Sequence, residues 1–435
     1  MTKRASFVCL FLALTWFGYR ISAQKDPKVT EEVLHRPTPM PDRIILTWSD
    51  DPTTTQSVTW RTSLSVKDGV AEIAEAEDGP LFVKKARRHN AATERYDSDI
   101  NQSHYHSLTF RDLKPETLYT YRVGDGFNWS EWNQFRTASK DAKPLTFLYV
   151  GDAQNDLFSM WSRLVRMGYS NAPRAQFFVH AGDLINNADK DYQWGEWHQA
   201  AGWINHSMVA FPTPGNHEYG GKRLNRNWRP QFTLPGNGVK GLEETNYYVD
   251  VQGVRMVALN SNERQAEQAA WLDQVLATNS NKWTILTFHH PILSTARNRD
   301  NKALREAWQP VIDKYAVDLV MTGHDHTYGR SNLMTGTSGR EGKAGTVYVV
   351  SVSGPKQYEL TPQKWMQRAA EDTQLFQVVH IDGNKLTFEA RTATGALYDA
   401  FELEKQRGKA NKLTNRTPKT PENRRKPAAT ASGGL

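Results

Sequence analysis

From Pro144 onward the chain repeats one pattern: a short run of consecutive apolar residues, a loop opened by Gly or punctuated by Pro, then a stretch with helical spacing. The apolar runs fall at 145–150, 176–181, 254–259, 283–288, 317–322 and 346–352, alternating with stretches such as Leu157–Met167, Glu263–Ala277 and Lys302–Lys314. Apolar runs without strict alternation predict strands covered on both faces. In 263–277, Ala266, Ala269, Ala270, Leu272, Val275 and Leu276 form the apolar stripe of a helix. The region 144–403 therefore reads as an α/β layered domain, a mixed β-sandwich flanked by helices, with its loops at strand ends.

Residues 41–140 follow a different pattern. Short runs such as Ile44–Trp48, Ser57–Thr62, His106–Phe110 and Thr117–Val123 alternate apolar with polar positions between turn sequences. This predicts a small antiparallel β-sandwich. The run Leu113–Gly124 followed by Phe135-Arg-Thr137 resembles the end of a fibronectin type III-like domain, with Tyr119 and Tyr121 as core and corner residues. The aromatic segment Tyr192, Trp194, Trp197, Trp203 and Phe211 is expected to pack a helix against the sheet.

The ends change the picture in two ways. Residues 1–23 carry Lys3-Arg4, an apolar stretch from Ala5 to Phe17 and Ile21-Ser-Ala23, the three parts of a secretory signal. The apolar stretch is shorter than the ~20 residues of a spanning helix. The expected product is secreted, periplasmic or extracellular, without a transmembrane segment after cleavage. The single cysteine, Cys9, lies inside that signal, so the mature chain has no disulfide. Residues 24–40 read as a linker.

The net charge of +7 suggests nucleic acid until it is located. Residues 404–435 hold nine Lys and Arg against Glu404 and Glu422, which accounts for the whole excess. The folded part is slightly acidic once the signal is set aside, so no nucleic-acid partner is expected. The tail has too few large apolar residues to order itself and reads as a solvated basic tail, with attachment to an acidic surface as the alternative.

Chemistry concentrates at five strand-end loops: Val150-Gly-Asp152, Ala181-Gly-Asp183, Pro214-Gly-Asn-His-Glu218, Phe288-His-His-Pro291 and Gly323-His-Asp-His326. Carboxylate, amide oxygen and imidazole are the ligands that hard and borderline cations take. Five such loops describe one metal site, with Asp183 shared by two ions. Two ions about 3.5–4 Å apart suit in-line displacement at phosphorus.

The order Gly-Asp, Gly-Asp, Gly-Asn-His-Glu, His-x-Pro, Gly-His-x-His resembles the calcineurin-like metallophosphoesterase superfamily. With the preceding sandwich the chain is similar to the purple acid phosphatases in particular, over about residues 41–403. The resemblance implies Asp152 and His326 as ligands of the first metal, Asp183 as the bridge, and Asn216, His289 and His324 as ligands of the second. It places His217 by the leaving group as general acid or electrostatic stabiliser. Asn216, His217 and His290 are the substrate-binding candidates.

Two positions depart from that family: Asn186 stands where it has a tyrosine, and Gln154 where it has glycine and the wider superfamily a histidine. Gln154 is counted among the first metal's ligands through its amide oxygen, directly or through water, and no purple colour is expected. Arg297 and Arg299 are candidate phosphate contacts or solvated loop charges. The remaining histidines, His89, His104, His106, His180, His198, His206 and His380, are read as structural.

The expectation is a secreted hydrolase of small-molecule phosphoesters, a phosphomonoesterase first, in which a metal-activated hydroxide attacks phosphorus in line. Its cofactors are two metal ions drawn from Fe, Zn, Mn or Ca. The alternatives are a phosphodiesterase or nucleotidase of the same fold, and a non-catalytic secreted binding protein with a weakened metal site.

Overall fold

The computed structural model describes residues 28–336, 340–341 and 345–425. The signal stretch 1–23, Cys9 and Lys426 lie outside the described residues.

Two large sheets form the centre of the region 144–403. In the first, Leu145–Val150, Phe177–Ala181 and Val209–Thr213 are parallel neighbours. In the second, Val254–Ala258, Trp283–Thr287, Leu319–Thr322 and Val347–Val350 run parallel. Every residue of Phe177–Ala181 and of Trp283–Thr287 is buried, as unbroken apolar runs require. The pleat divides the second sheet's two faces. Met256, Ile285 and Met321 join the core shared with Phe147 and Val179 of the first sheet, whereas Val257, Leu286 and Val320 pack under Leu272, Leu276, Leu304, Trp308 and Ile312 of helices Gln265–Ala277 and Lys302–Lys314.

The N-terminal region is a β-sandwich, but it is not a separate bead. One layer is the four-stranded sheet of Arg87–Asn90, Val70–Glu75, Leu118–Gly124 and Asn133–Arg136. The other layer continues into the first large sheet, because Asp42–Thr47 pairs in parallel with Val209–Thr213, giving eleven strands in one sheet. A buried ion pair holds the junction: Arg43 Nη1 lies 2.6 Å from Asp191 Oδ1, and Arg61 joins at 3.6 Å. Tyr119 and Tyr121 are buried, and the Lys114 backbone N–H donates to the Tyr119 hydroxyl at 2.8 Å, a tyrosine corner.

Two expectations about the ends are corrected. In the stretch read as a linker, Glu31–Leu34 forms a helical turn and His35 is buried, its carbonyl accepting from Arg61 Nη2 at 3.0 Å. Residues 404–425 are not a solvated tail either. Lys412–Asn415 adds an antiparallel edge strand to Leu397–Glu404, and Arg416, Arg424 and Arg425 pair with Glu402, Glu422 and Asp372. The segment buries little apolar area; backbone ladder bonds and carboxylate partners hold it instead, which composition alone does not reveal. Among the described residues no helix is long and apolar enough to cross a membrane.

Candidate metal centre

All five loops leave the carboxyl ends of parallel strands, three from the first sheet and two from the second. Three of them reverse sharply to turn side chains back over the strand ends. Asp152, Asp183, His324 and His326 do so with φ of 47°, 52°, 72° and 47°. Left-handed backbone at a non-glycine residue costs about 1–2 kcal/mol, and such strain collects at functional sites. The glycines beside them answer to close approach: a Cβ on Gly215 would collide with the Asp183 carboxylate, and one on Gly323 with that of Asp152.

The candidate second metal position brings together four side chains. His289 Nε2 lies 3.1 Å from each of Asp183 Oδ2, Asn216 Oδ1 and His324 Nδ1. His289 Nδ1–H donates to the Ala181 carbonyl at 2.9 Å, which fixes the tautomer and leaves the Nε2 lone pair facing the cluster. A carboxylate oxygen, an amide oxygen and two imidazole nitrogens turned toward one point repel unless a cation or a proton sits among them. That donor set fits a borderline divalent or ferric ion. Although burial opposes its charge, the Asp183 carboxylate holds His289 up at about 9.

The first position is built differently. Asp152, Asp183 and His289 form a buried group of ligand atoms, and His326 Nε2 lies 3.6 Å from Asp152 Oδ1. His326 Nδ1–H donates to the Lys356 carbonyl at 2.9 Å, again leaving Nε2 free to face inward. Burial pushes the Asp152 carboxyl well above its ordinary value and, helped by the Lys356 ammonium, pushes the His326 imidazole down to about 3. Gln154, expected to offer its amide oxygen, turns its amide nitrogen inward: Nε2 donates to Asp183 Oδ2 at 2.8 Å and lies 3.2 Å from His326 Nε2.

His217 stands at the open side, its side chain about one quarter exposed. Its backbone N–H donates to Asp183 Oδ1 at 2.9 Å, and its Nδ1–H donates to the Asn186 carbonyl at 2.5 Å, leaving Nε2 for a ligand. Asn186, which stands where the resembled family has a tyrosine, thus enters through its backbone. His290 Nδ1 meets Ser261 Oγ at 2.8 Å, and its ring packs 4.2 Å from that of His324. Of the two arginines, Arg297 is an exposed partner of Glu359, whereas Arg299 Nη1 donates to the His324 carbonyl at 2.7 Å.

Three residues carry the site without having been assigned a role from sequence. The buried Glu218 carboxylate accepts from the backbone N–H groups of Asp183, Leu184, Ile185 and Gly215 at 2.7–3.2 Å, locking two ligand loops together. Asp325, between the two ligand histidines, points the other way and accepts from the N–H groups of Thr295 and Ala296. Lys356 is the third. Its signal was present, since the run 346–352 leads into Ser353-Gly354-Pro-Lys356 as four of the other five runs lead into ligand loops.

Comparison with known proteins agrees with this geometry. Residues 41–137 match the family described as purple acid phosphatase, N-terminal domain, and residues 145–328 match the calcineurin-like phosphoesterases. The chain therefore contains a purple acid phosphatase-type N-terminal domain followed by a calcineurin-like phosphoesterase domain. Among curated relatives, the chain is 25% identical over 308 residues to an uncharacterized protein of Mycobacterium tuberculosis, covering 60% of this chain and 56% of that one. It is 27% identical over 269 residues to purple acid phosphatase 15 of Arabidopsis thaliana, covering 52% and 49%. The chain thus spans about half the length of the curated relatives it matches. Among solved structures, a purple acid phosphatase from yellow lupin (Lupinus luteus) seeds superposes with a TM-score of 0.72 at 19% identity, over 84% of this chain and 74% of that one. PhoD superposes with a TM-score of 0.67 at 12% identity, over 92% and 95%. At these identities the two structures establish the fold.

Proposed function

We propose that this phosphoesterase is an exported hydrolase of small phosphoesters, acting on monoesters in preference to diesters, with two metal ions at the strand-end cluster. The observation that carries this reading is the convergence of Asp152, Asp183, Asn216, His289, His324 and His326 from five strand ends, their lone pairs turned toward one another, with His217 at the opening. Two ions bound there would acidify a water molecule and neutralise the oxygens of a phosphoryl group in flight.

The chain's own residues supply the rest. The Asn186 carbonyl fixes His217 with Nε2 toward the opening, where, carrying a proton on both ring nitrogens, it can donate a hydrogen bond or its Nε2 proton to the departing oxygen. The His290 ring lies against that of His324 and restricts access from that side. Two clefts flank the centre, one of about 350 Å³ lined by Asn155, Asn186, Tyr192 and Glu196, the other of about 420 Å³ lined by Ser261, His290 and Lys302. Their size suits the organic part of a small ester.

The test is metal analysis of the mature protein with hydrolysis of an aryl phosphomonoester and diester, beside His217→Asn. The wild type is expected to hold two ions and to prefer the monoester. The variant should keep its metal and lose turnover by about a hundredfold or more. Bound metal below one ion per chain, with no turnover after iron, zinc, manganese or calcium is supplied, would favour the non-catalytic binding protein, a reading that the inward amide of Gln154 keeps in play.

Metal uptake should also release protons. At pH 7 the metal-free centre stores one on His289, held at about 9, and burial also raises the Asp152 carboxyl above its ordinary value. Both groups have folded values above their unfolded ones. Their contribution to metal-free stability is therefore complete at low pH and is lost as pH rises, for His289 from 6.5 through about 9. Metal affinity should rise over the same interval. Calorimetric titration at pH 7 in buffers of different ionisation enthalpy is expected to report about one proton released, and a value near zero would contradict the proton stored on His289.

A further inference from the structure

The loop after Val347–Val350 docks its backbone on the first-metal loop. The Ser353 and Gly354 N–H groups donate to the Gly151 and Asp152 carbonyls at 2.7 and 2.8 Å, and a Cβ on Gly354 would stand 2.5–2.7 Å from the carbonyl oxygens of Asp152, Ala153 and Gln154. This places Lys356, whose own carbonyl holds His326, with its ammonium 3.4 Å from Gln154 Oε1. The Tyr358 ring flanks the same ammonium at 5.4 Å, and the Tyr358 N–H donates to the His326 carbonyl at 3.0 Å.

An ammonium can only donate, so it takes the oxygen end of the Gln154 amide. The nitrogen end is then committed inward, where one NH₂ group reaches Asp183 Oδ2 and sits 3.2 Å from His326 Nε2. Those two atoms are ligands the first ion would need. Rotating the amide by half a turn would offer Oε1 to the ion, but would set an NH₂ group against the ammonium. The second position has no such competitor: Asn216 presents its oxygen to the cluster.

We propose that Lys356 is a positioning residue that makes the two metal positions unequal, the second held tightly and the first weak and exchangeable, by fixing Gln154 as a hydrogen-bond donor in place of a ligand. The proposal rests on the binuclear reading above and adds an order of filling to it. It also gives the ammonium a part in the electrostatics of the first position, since a fixed positive charge beside an ion disfavours that ion.

The experiment is titration of the chelated full chain with Zn²⁺ alone, followed by calorimetry and by metal content after dialysis. In the wild type the two dissociation constants should differ by at least about tenfold, the scale on which groups next to ligands act. Lys356→Met should tighten the weaker site by about tenfold, and Lys356→Arg should leave it as in the wild type. Gln154→Ala should tighten the weaker site or leave it unchanged, since it removes a competitor. A gain in affinity is a result that a damaged fold does not produce. Two equal sites in the wild type overturn the proposal while leaving the binuclear reading intact. So does a Gln154→Ala protein whose weaker site weakens further, because Gln154 is then a ligand, or a Lys356→Met protein whose two sites keep the wild-type gap. No uptake of Zn²⁺ at either site overturns both.

Discussion

Asp183→Asn is expected to lower turnover by at least about a thousandfold and to reduce bound metal from two ions to one or none. The size of the effect follows from how much converges on one carboxylate. Its Oδ2 lies 3.1 Å from His289 Nε2 and accepts from Gln154 Nε2 at 2.8 Å, while its Oδ1 accepts the backbone N–H of His217 at 2.9 Å. Asparagine keeps the shape but has one oxygen where two are needed. If the amide oxygen stays toward His217, an NH₂ group faces the metal positions and the bridge is gone. If it turns toward the metals, the His217 backbone N–H loses its acceptor and the histidine at the opening loses its anchor. Either orientation also removes the negative charge that holds His289 up at about 9. The variant also removes the buried partner of His289, so it is expected to be less stable without metal, and circular dichroism establishes that it is folded before turnover is read. Metal analysis and turnover measured on the same folded sample check this; turnover within about tenfold of wild type at full metal content would remove Asp183 from the bridge.

What could be read from the sequence followed the physical strength of the signal. A strand buried on both faces has to be apolar throughout, and a ligand loop at its end has to begin with a glycine where backbones meet, so Gly182-Asp183 and Gly323-His324 were legible as written. The roles of Glu218 and Asp325 were not. A carboxylate one residue from a ligand can face the metal or the backbone behind it, and spacing does not choose between the two. The orientation of Gln154 depends on Lys356, 202 residues away. The sandwich was legible from alternation, but its fusion to the central sheet rests on the Thr47–Ala210 pairing and on Arg43 reaching Asp191, long-range contacts that leave no local pattern. Residues 404–425 failed as a sequence reading for the opposite reason. Their composition is that of a solvated tail, and only the open edge of Leu397–Glu404 gives Lys412–Asn415 a place to pair.

Glu218→Gln should destabilise the protein by about 3–5 kcal/mol, the scale on which a buried charged hydrogen-bond network fails when one partner is altered. The Glu218 side chain is buried, and its two oxygens accept from four backbone N–H groups: Asp183 at 3.0 Å, Leu184 at 2.8 Å, Ile185 at 3.2 Å and Gly215 at 2.7 Å. Glutamine has the same length and one oxygen fewer. Whichever way its amide lies, an NH₂ group is set against two N–H donors that have no other acceptor in that position, and an unsatisfied buried donor costs about 1–3 kcal/mol. These four donors belong to the Gly-Asp and Gly-Asn-His-Glu loops, so the loss falls on the relative placement of Asp183 and Asn216. Asp183 holds a left-handed φ of 52°, a conformation that persists only while its surroundings enforce it. Unfolding of the variant should therefore be eased most in the absence of metal and partly restored by its addition, because ions that bind only the folded loops shift the equilibrium back. For a domain of this size the metal-free melting temperature is expected to fall by roughly 10 °C. Thermal unfolding of chelated and metal-loaded samples measures both quantities. A melting temperature within about 2 °C of wild type under chelation would mean that the four N–H groups find other acceptors and that Glu218 does not hold the two loops together.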